Sequence, residues 1–381
     1  MSTAGRTGAD APAASDVAGQ CREADLVRLV AAPTGDALAA TGLLARALAA
    51  TDRAFQVSVA SLPTDADRAT DSDLTVAIGR TDPTADLSVA ADAVPATETA
   101  LAAASDLGGD PDPALALAGV VADGRIEGGD AVEAARAAGI ERRPGLAVPT
   151  TDLVDGLAYS LLVSLSVSGD TDAVAGLLTE HGLPTDAADA DEDATRRLAS
   201  LVAVAATDEG APTRAAHAVE RALRPFDGGP FGTVGGYADV LDAVGRERPG
   251  IGVALALGHD VSAAALDAWR THADRAHAAV AEATTARYDG LFVARAESAA
   301  APVETAARLY HDFRSPEAVT LVVTDGAAAA VADDADLADP IAAATDAADG
   351  TGEVTRARQT VGRARFEADT STFITAFREA Q

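Results

Sequence analysis

The stretch Val27–Leu48 reads VRLVAAPTGDALAATGLLARAL, and its reading decides the fold. Leu26 to Val30 is a run of leucine and β-branched residues, interrupted only by Arg28, and predicts a strand. Ala32-Pro33-Thr34-Gly35-Asp36 then makes a turn of small residues. Beyond it Leu38, Gly42, Leu44, Ala45 and Leu48 recur at helical intervals. Strand, tight turn and helix open an α/β domain, and the turn lies at the strand's carboxyl end, where open parallel sheets hold their ligands. Asp36 stands on the first residues of the helix, either as its cap or as a carboxylate facing a ligand.

The pattern continues along the chain. Phe55–Ala60, Leu74–Ile78 and Leu87–Ala90 read as strands, and 97–106, 113–121 and 131–138 as helices. Strands interleaved with helices predict a mainly parallel sheet flanked by helices. Residues 153–178 are apolar and predict helices packed on that sheet, followed by helices over 196–206 and 215–224. The segment Arg224–Leu241, RPFDGGPFGTVGGYADVL, predicts a structured loop feeding a helix. A helix over 262–285 carries Trp269, the single tryptophan, as a core anchor. A second, smaller α/β unit begins near Tyr288, with strands at 291–294 and 318–323 and helices at 302–313 and 372–380. The expected organisation is a disordered extension over 1–23, an α/β domain over 24–180, a helical connector over 181–285 and a smaller α/β domain over 286–381.

Composition excludes several classes. The chain has 381 residues, with 59 acidic against 29 basic and a net charge of −30; none of the basic residues is lysine. In dilute buffer such acidity would argue against nucleic acid. In molar salt the screening length falls to about 3 Å, and phosphate attraction is suppressed as well, so charge decides neither way. One cysteine, Cys21, excludes an internal disulfide and a CxxC metal site. No run of about 18 apolar residues exists, which argues against a membrane span and for a cytoplasmic protein, and no signal peptide is read at the start. The six histidines, all beyond residue 180, form no metal-binding pair.

The opening stretch resembles the first motif of the DHH phosphoesterase family, which includes the RecJ exonucleases. There a strand ends in a pattern close to His-x-Asp-Ala-Asp-Gly before a small-residue helix. The matching positions here are Ala32, Pro33, Thr34, Gly35, Asp36 and Ala37, so one aspartate survives. In active members the third strand ends in a metal-binding aspartate, where this chain has Gly79. The Asp-His-His-Pro signature aligns with Asp92-Ala93-Val94-Pro95, without its histidines, and Asp123 follows a small-residue helix where a last ligand is expected. Composition adds a resemblance to proteins of extreme halophiles, so the chain resembles a haloarchaeal RecJ-like protein with degenerate motifs.

The resemblance implies a DHH-type domain, a connector and a DHH-associated C-terminal domain. It implies Asp36, Asp92 and Asp123 as a residual site for Mn²⁺ or Mg²⁺, against the reading that Asp92 and Asp123 are ordinary loop and helix-end aspartates. Two-metal hydrolysis needs several carboxylates and imidazoles to activate a water and neutralise developing charge. Gly235 and Gly236, with Arg224, become phosphate-cradling candidates, or else a packing turn. Arg356, Arg358, Arg363 and Arg365 stand where the family holds nucleic acid, and either grip phosphates or offset neighbouring carboxylates. The expected function is a nuclease-deficient partner of single-stranded DNA or RNA and of replication, repair or RNA-processing proteins, as for relatives that scaffold the replicative helicase. The alternatives are a single-strand exonuclease with a reduced metal site, and an unrelated nucleotide-binding α/β protein. The missing GxGxxG and GxxxxGK[ST] motifs weigh against the last.

Overall fold

A computed structural model describes residues 12–62, 73–90, 94–125, 128–208, 210–356 and 359–381. The first domain is built on β1 (Leu26–Ala31), β2 (Ala54–Val59), β3 (Leu74–Ile78) and β4 (Leu87–Val89), all parallel in the order β2-β1-β3-β4. Around it lie α1 (Ala14–Glu23), α2 (Gly35–Ala50), α3 (Ala96–Asp106), α4 (Pro113–Asp123) and α5 (Asp130–Ala137). β1 is buried on both faces, as its near-continuous apolar run requires. α2 is buried nearly all round, because the sheet lies on one side and α3, α4 and the connector lie on the others. A Cβ at Gly42 would stand 2.5 Å from the Ala256 carbonyl oxygen, so only glycine permits this approach of backbones.

The connector consists of α6 (Leu153–Ala158), α7 (Thr171–Glu180), α8 (Glu192–Ala206), α9 (Arg214–Glu220), α10 (Val234–Glu247), α11 (Pro249–Ala256) and α12 (Ser262–Glu282). α10 is its keystone, packed on α2, α4, α11 and α12. Trp269 of α12 is fully buried and donates its indole N–H to Asp239 of α10 at 3.0 Å.

The C-terminal domain holds β5 (Thr284–Tyr288), β6 (Leu291–Arg295), α13 (Val303–Phe313), β7 (Val319–Val323), β8 (Ala327–Ala332), α14 (Ala338–Ala347), β9 (Thr351–Arg356), β10 (Thr360–Arg365) and α15 (Thr370–Ala380). Its sheet runs β5-β6-β7-β8-β10-β9, antiparallel except between β6 and β7. Side chains alternate across it. Val322, Ala329 and Val331 join the main core, while Leu321, Val323, Ala328 and Ala330 form a second core with Phe373 and Phe377 of α15.

Three expectations change. Residues 14–23, expected within a disordered extension, form α1, whose Val17, Ala18 and Cys21 are buried. The apolar run LLVSLSV, expected to be helical, is irregular between α6 and α7; its Leu161, Val163 and Leu165 are buried, so apolarity there marks depth and not helix. The second sheet begins at Thr284, because β5 continues directly from α12. Among the described residues no helix is long and apolar enough to cross a membrane.

Candidate functional site

The carboxyl ends of β1 and β3 open on a cavity of about 110 Å³ between the two domains. Thr34, Asp36, Gly79 and Asp123 line it from the first domain, Arg221, Asp242 and Arg246 from the connector, and Glu304, Arg308 and Arg363 from the C-terminal domain. Two of the three expected metal-site aspartates, Asp36 and Asp123, thus meet at one cavity. The third, Asp92, lies outside the described residues.

Asp36 is 4% exposed and does not cap its own helix. Thr34 does that, accepting the Ala37 N–H at 3.3 Å. The Asp36 carboxylate instead reaches the start of α3, where Pro95 offers no side-chain cap. Oδ2 accepts the Ala96 N–H at 2.9 Å, and Oδ1 accepts the Thr97 N–H at 2.9 Å and the Thr97 hydroxyl at 2.6 Å. Burial, then the nearby Asp123 charge, pushes its pKa up to about 7 against those hydrogen bonds. Asp123 is itself engaged by Arg125, whose Nη2 lies 3.1 Å from Oδ1 while Nε approaches Oδ2.

Gly79 stands at the end of β3 where the resemblance would place a carboxylate, and it leaves no room for one. Its φ is +78°, and a Cβ there would stand 2.6 Å from the Ala37 Cβ. No side chain fits without moving α2 off the sheet.

The opposite wall is a ladder of alternating charges that crosses the domain interface. Asp242 accepts the Gly35 N–H at 3.0 Å and pairs with Arg246 at 2.8 Å. Arg246 reaches Glu304 at 3.2 Å, Glu304 receives Arg363 at 2.8 Å, and Arg363 reaches Glu353 at 3.1 Å. Arg80, just past β3 and 2% exposed, ends the series 3.7 Å from Glu353. Burial alone would raise Asp242, but the charges of Arg246 and Arg308 outweigh it and hold its carboxyl below the usual range. Burial likewise works against Glu304, which Arg363 and Arg246 hold down.

The proposed nucleic-acid residues separate. Arg363 is 6% exposed and offsets carboxylates within the ladder. Arg365 is exposed and borders, with Arg246, Arg275 and Arg363, a more open cleft of about 240 Å³ that also holds Glu247 and Glu304. Arg356 lies at the end of β9, and Arg358 is outside the described residues. Gly235 and Gly236 are buried in the first turn of α10. A Cβ would stand 2.5 Å from the Ala147 Cβ at the former and 2.4 Å from the Val148 and Pro149 backbone at the latter, so they are a packing turn and no phosphate cradle. Arg224 is exposed in a left-handed turn at φ 52°.

Residues 283–379 match the family model for the C-terminal domain of "Uncharacterized protein rrnAC1427". Over 382 positions, covering 100% of both chains, the protein is 55% identical to rrnAC1427 of Haloarcula marismortui. The chain belongs to this family. Among solved structures it resembles CDC45 from Entamoeba histolytica, with a TM-score of 0.57 at 9% identity over 96% of this chain and 97% of that one. A manganese-bound RecJ exonuclease aligns over 96% of this chain and 91% of its own, with a TM-score of 0.47 at 15% identity. The match to CDC45 shows a shared fold and nothing further. At the level of architecture the expectation is met: a parallel-sheet α/β domain, many helices and a separate C-terminal sheet domain.

The divalent metal that the resemblance implies does not fit the described residues, among which Asp92 is not included. Asp36 spends three of its roughly four lone-pair sites on α3. Asp123 is held by a guanidinium, and Gly79 admits no ligand. Among the described residues no three His, Cys, Asp or Glu side chains group as a metal would require. The three buried histidines are used elsewhere: His272 contacts the Thr305 hydroxyl at 2.8 Å, His277 the Ser160 carbonyl at 3.0 Å and His311 the Thr320 hydroxyl at 3.2 Å.

Proposed function

We propose that the protein is a RecJ-like, DHH-type component of nucleic-acid metabolism without nuclease activity, acting by holding nucleic acid or a replication, repair or RNA-processing partner. One observation carries this reading. The surviving motif aspartate, Asp36, caps α3 with three hydrogen bonds where a hydrolase would need its oxygens on a cation. The ladder from Asp242 to Arg80 supports it, because it ties the domains together with fixed side chains across the cleft a substrate would enter.

A second reading has its own observation. Asp36 and Asp123 face one cavity, where the Asp123 charge disfavours ionisation of Asp36, and a cation would relieve that repulsion. A single-strand exonuclease holding one Mn²⁺ or Mg²⁺ is the activity it would allow.

Degradation of end-labelled single-stranded DNA and RNA in molar KCl with Mn²⁺ separates the two. Wild type is compared with the double variant Asp36→Ala, Asp92→Ala. No cleavage by wild type is expected, with retention of the strands in a binding assay. Cleavage by wild type that the double variant loses would establish the reduced-ligand nuclease instead.

A further inference from the structure

Many arginines of this chain hold a carboxylate. Arg246 and Arg363 sit in the ladder, and Arg46, Arg221 and Arg270 pair with Asp112, Asp312 and Asp155. With 59 acidic residues to 29 basic ones, that is the expected arrangement. One exposed cluster departs from it. Arg136 lies in the last turn of α5, Arg142 and Arg143 on the loop that follows, and Arg224 on the loop between α9 and α10. The two loops are laced together. Arg142 bridges Phe226 and Leu146 bridges Leu223, both antiparallel, and the Arg224 N–H donates to the Gly145 carbonyl at 3.1 Å. Arg143 pairs with Asp227 at 2.6 Å. Arg136, Arg142 and Arg224 have no carboxylate within ion-pair distance among the described residues.

The cluster is held in place at some cost. The Arg142 guanidinium lies 4.5 Å from the centre of the Phe226 ring, and its Nη1 donates to the Arg224 carbonyl at 3.5 Å. Partial burial there, then the like charges of Arg224 and Arg136, hold its pKa below the ordinary value. Arg224 stands at φ 52°, a left-handed conformation that glycine adopts freely and arginine only under strain. The other described non-glycine residues with positive φ are aspartates, Asp52 and Asp349, a type that tolerates it better. Stability explains neither the strain nor the repulsion; an anion facing the three cations explains both.

We propose that Arg136, Arg142 and Arg224 form a docking surface for a short acidic segment of a partner protein. Planar guanidiniums pair with carboxylates as a fork, and arginine clusters are a recurring reader of acidic motifs. A nucleic-acid strand fits less well. Phe226, the aromatic ring of the cluster, is 5% exposed and covered by Arg142, so no base stacks on it. A strand would also carry its phosphates onward over a chain of net charge −30, whereas the charge of a peptide can end with the patch. The acidic run 186–193 of a second copy is already engaged: Asp186 and Asp191 cap helical turns, and Glu192 and Asp193 hold Arg196. The surface shares no residue with the lining of the interdomain cavity, and the inference does not depend on what that cavity does.

The test uses the full chain in molar KCl and a fluorescein-labelled octapeptide of alternating aspartate and glutamate, followed by anisotropy. Saturable binding is expected, with none to the matching octapeptide of asparagine and glutamine. The double variant Arg142→Gln, Arg224→Gln should weaken it about fivefold or more, the order expected of two exposed charge pairs. A control, Arg197→Gln with Arg248→Gln, removes the same charge from exposed positions outside the cluster and should leave binding unchanged. Arg224→Gly separates recognition from folding. Glycine relieves the left-handed strain, so Tm should stay level or rise while the peptide binds more weakly. An unchanged affinity in Arg224→Gly, no binding by wild type, or the same loss in both double variants overturns the docking surface. An oligothymidylate octamer that binds more tightly than the peptide and loses its affinity in Arg142→Gln, Arg224→Gln overturns it in favour of a strand. Self-association in sedimentation that the same variant abolishes overturns it in favour of a second copy. Each of these outcomes leaves the metal-free reading of Asp36 untouched.

Discussion

Asp36 and Asp242 line the same cavity, lie on helices packed against each other, and are held in opposite protonation regimes. Burial acts on both in the same direction. Asp242 has Arg246 at 2.8 Å and Arg308 nearby, and its pKa falls below the ordinary range. Asp36 has backbone N–H groups, a hydroxyl and a neighbouring carboxylate, and its pKa rises to about 7. Counter-charge and not depth decides the outcome. The cavity thus divides into a hydrogen-bonded wall that positions α3 and an ionic wall that fastens the domains.

The ionic wall should be the costlier to break. Arg246→Ala leaves Asp242 and Glu304 short of their shared cation in a largely buried setting, where Arg246 itself is 16% exposed. Removing one member of a buried pair costs about 3–5 kcal/mol, and that loss is expected in denaturant unfolding. A loss under about 1 kcal/mol would mean the ladder is solvated and the contrast with Asp36 is false. Gly79→Asp tests the other wall. It puts a carboxylate where the resemblance expects one, yet the φ of +78° and the Ala37 contact predict a loss of about 2–4 kcal/mol from strain and overpacking. No gain of Mn²⁺ binding by calorimetry is expected. A stable variant that bound Mn²⁺ would show that the metal centre is one substitution away.

The first domain was legible because its signals are local. A β-branched run, a turn of small residues and a 3.6-residue period survive in any composition, and β1 to β4 fell within a residue or so of their expected places. β8 escaped because AAAAVA carries no β signature; its strand conformation comes from pairing with β7 and β10. Asp36 stood out by its turn, but its role as cap of α3 depends on residues 60 positions away. The ladder was hidden for the same reason. Asp242 and Arg246, like Glu304 and Arg308, sit four residues apart on helices, the spacing of a solvent-facing pair. What could have flagged them is their setting, since arginines on helices rich in Ala and Val must point inward somewhere.

The smallest effect is also the most direct measure of the contrast. An aspartate with an unfolded pKa near 3.9 and a folded value of about 7 keeps its proton in the folded state after the unfolded state has lost it. Between those values the folded chain binds more protons, so this group makes stability fall as pH rises from about 4 to about 7, with no further change above. Asp242, held low, acts the other way: its contribution is present above the unfolded pKa and is lost as pH falls through the folded one. Asp36→Asn removes the first titration and leaves the second. The stability of wild type minus that of the variant should therefore decline by more than about 1 kcal/mol across the window, since each pKa unit is worth about 1.4 kcal/mol. A flat difference would place Asp36 at its ordinary value. A rising difference would mean that a cation faces Asp36 after all, and the two walls of the cavity would then be alike.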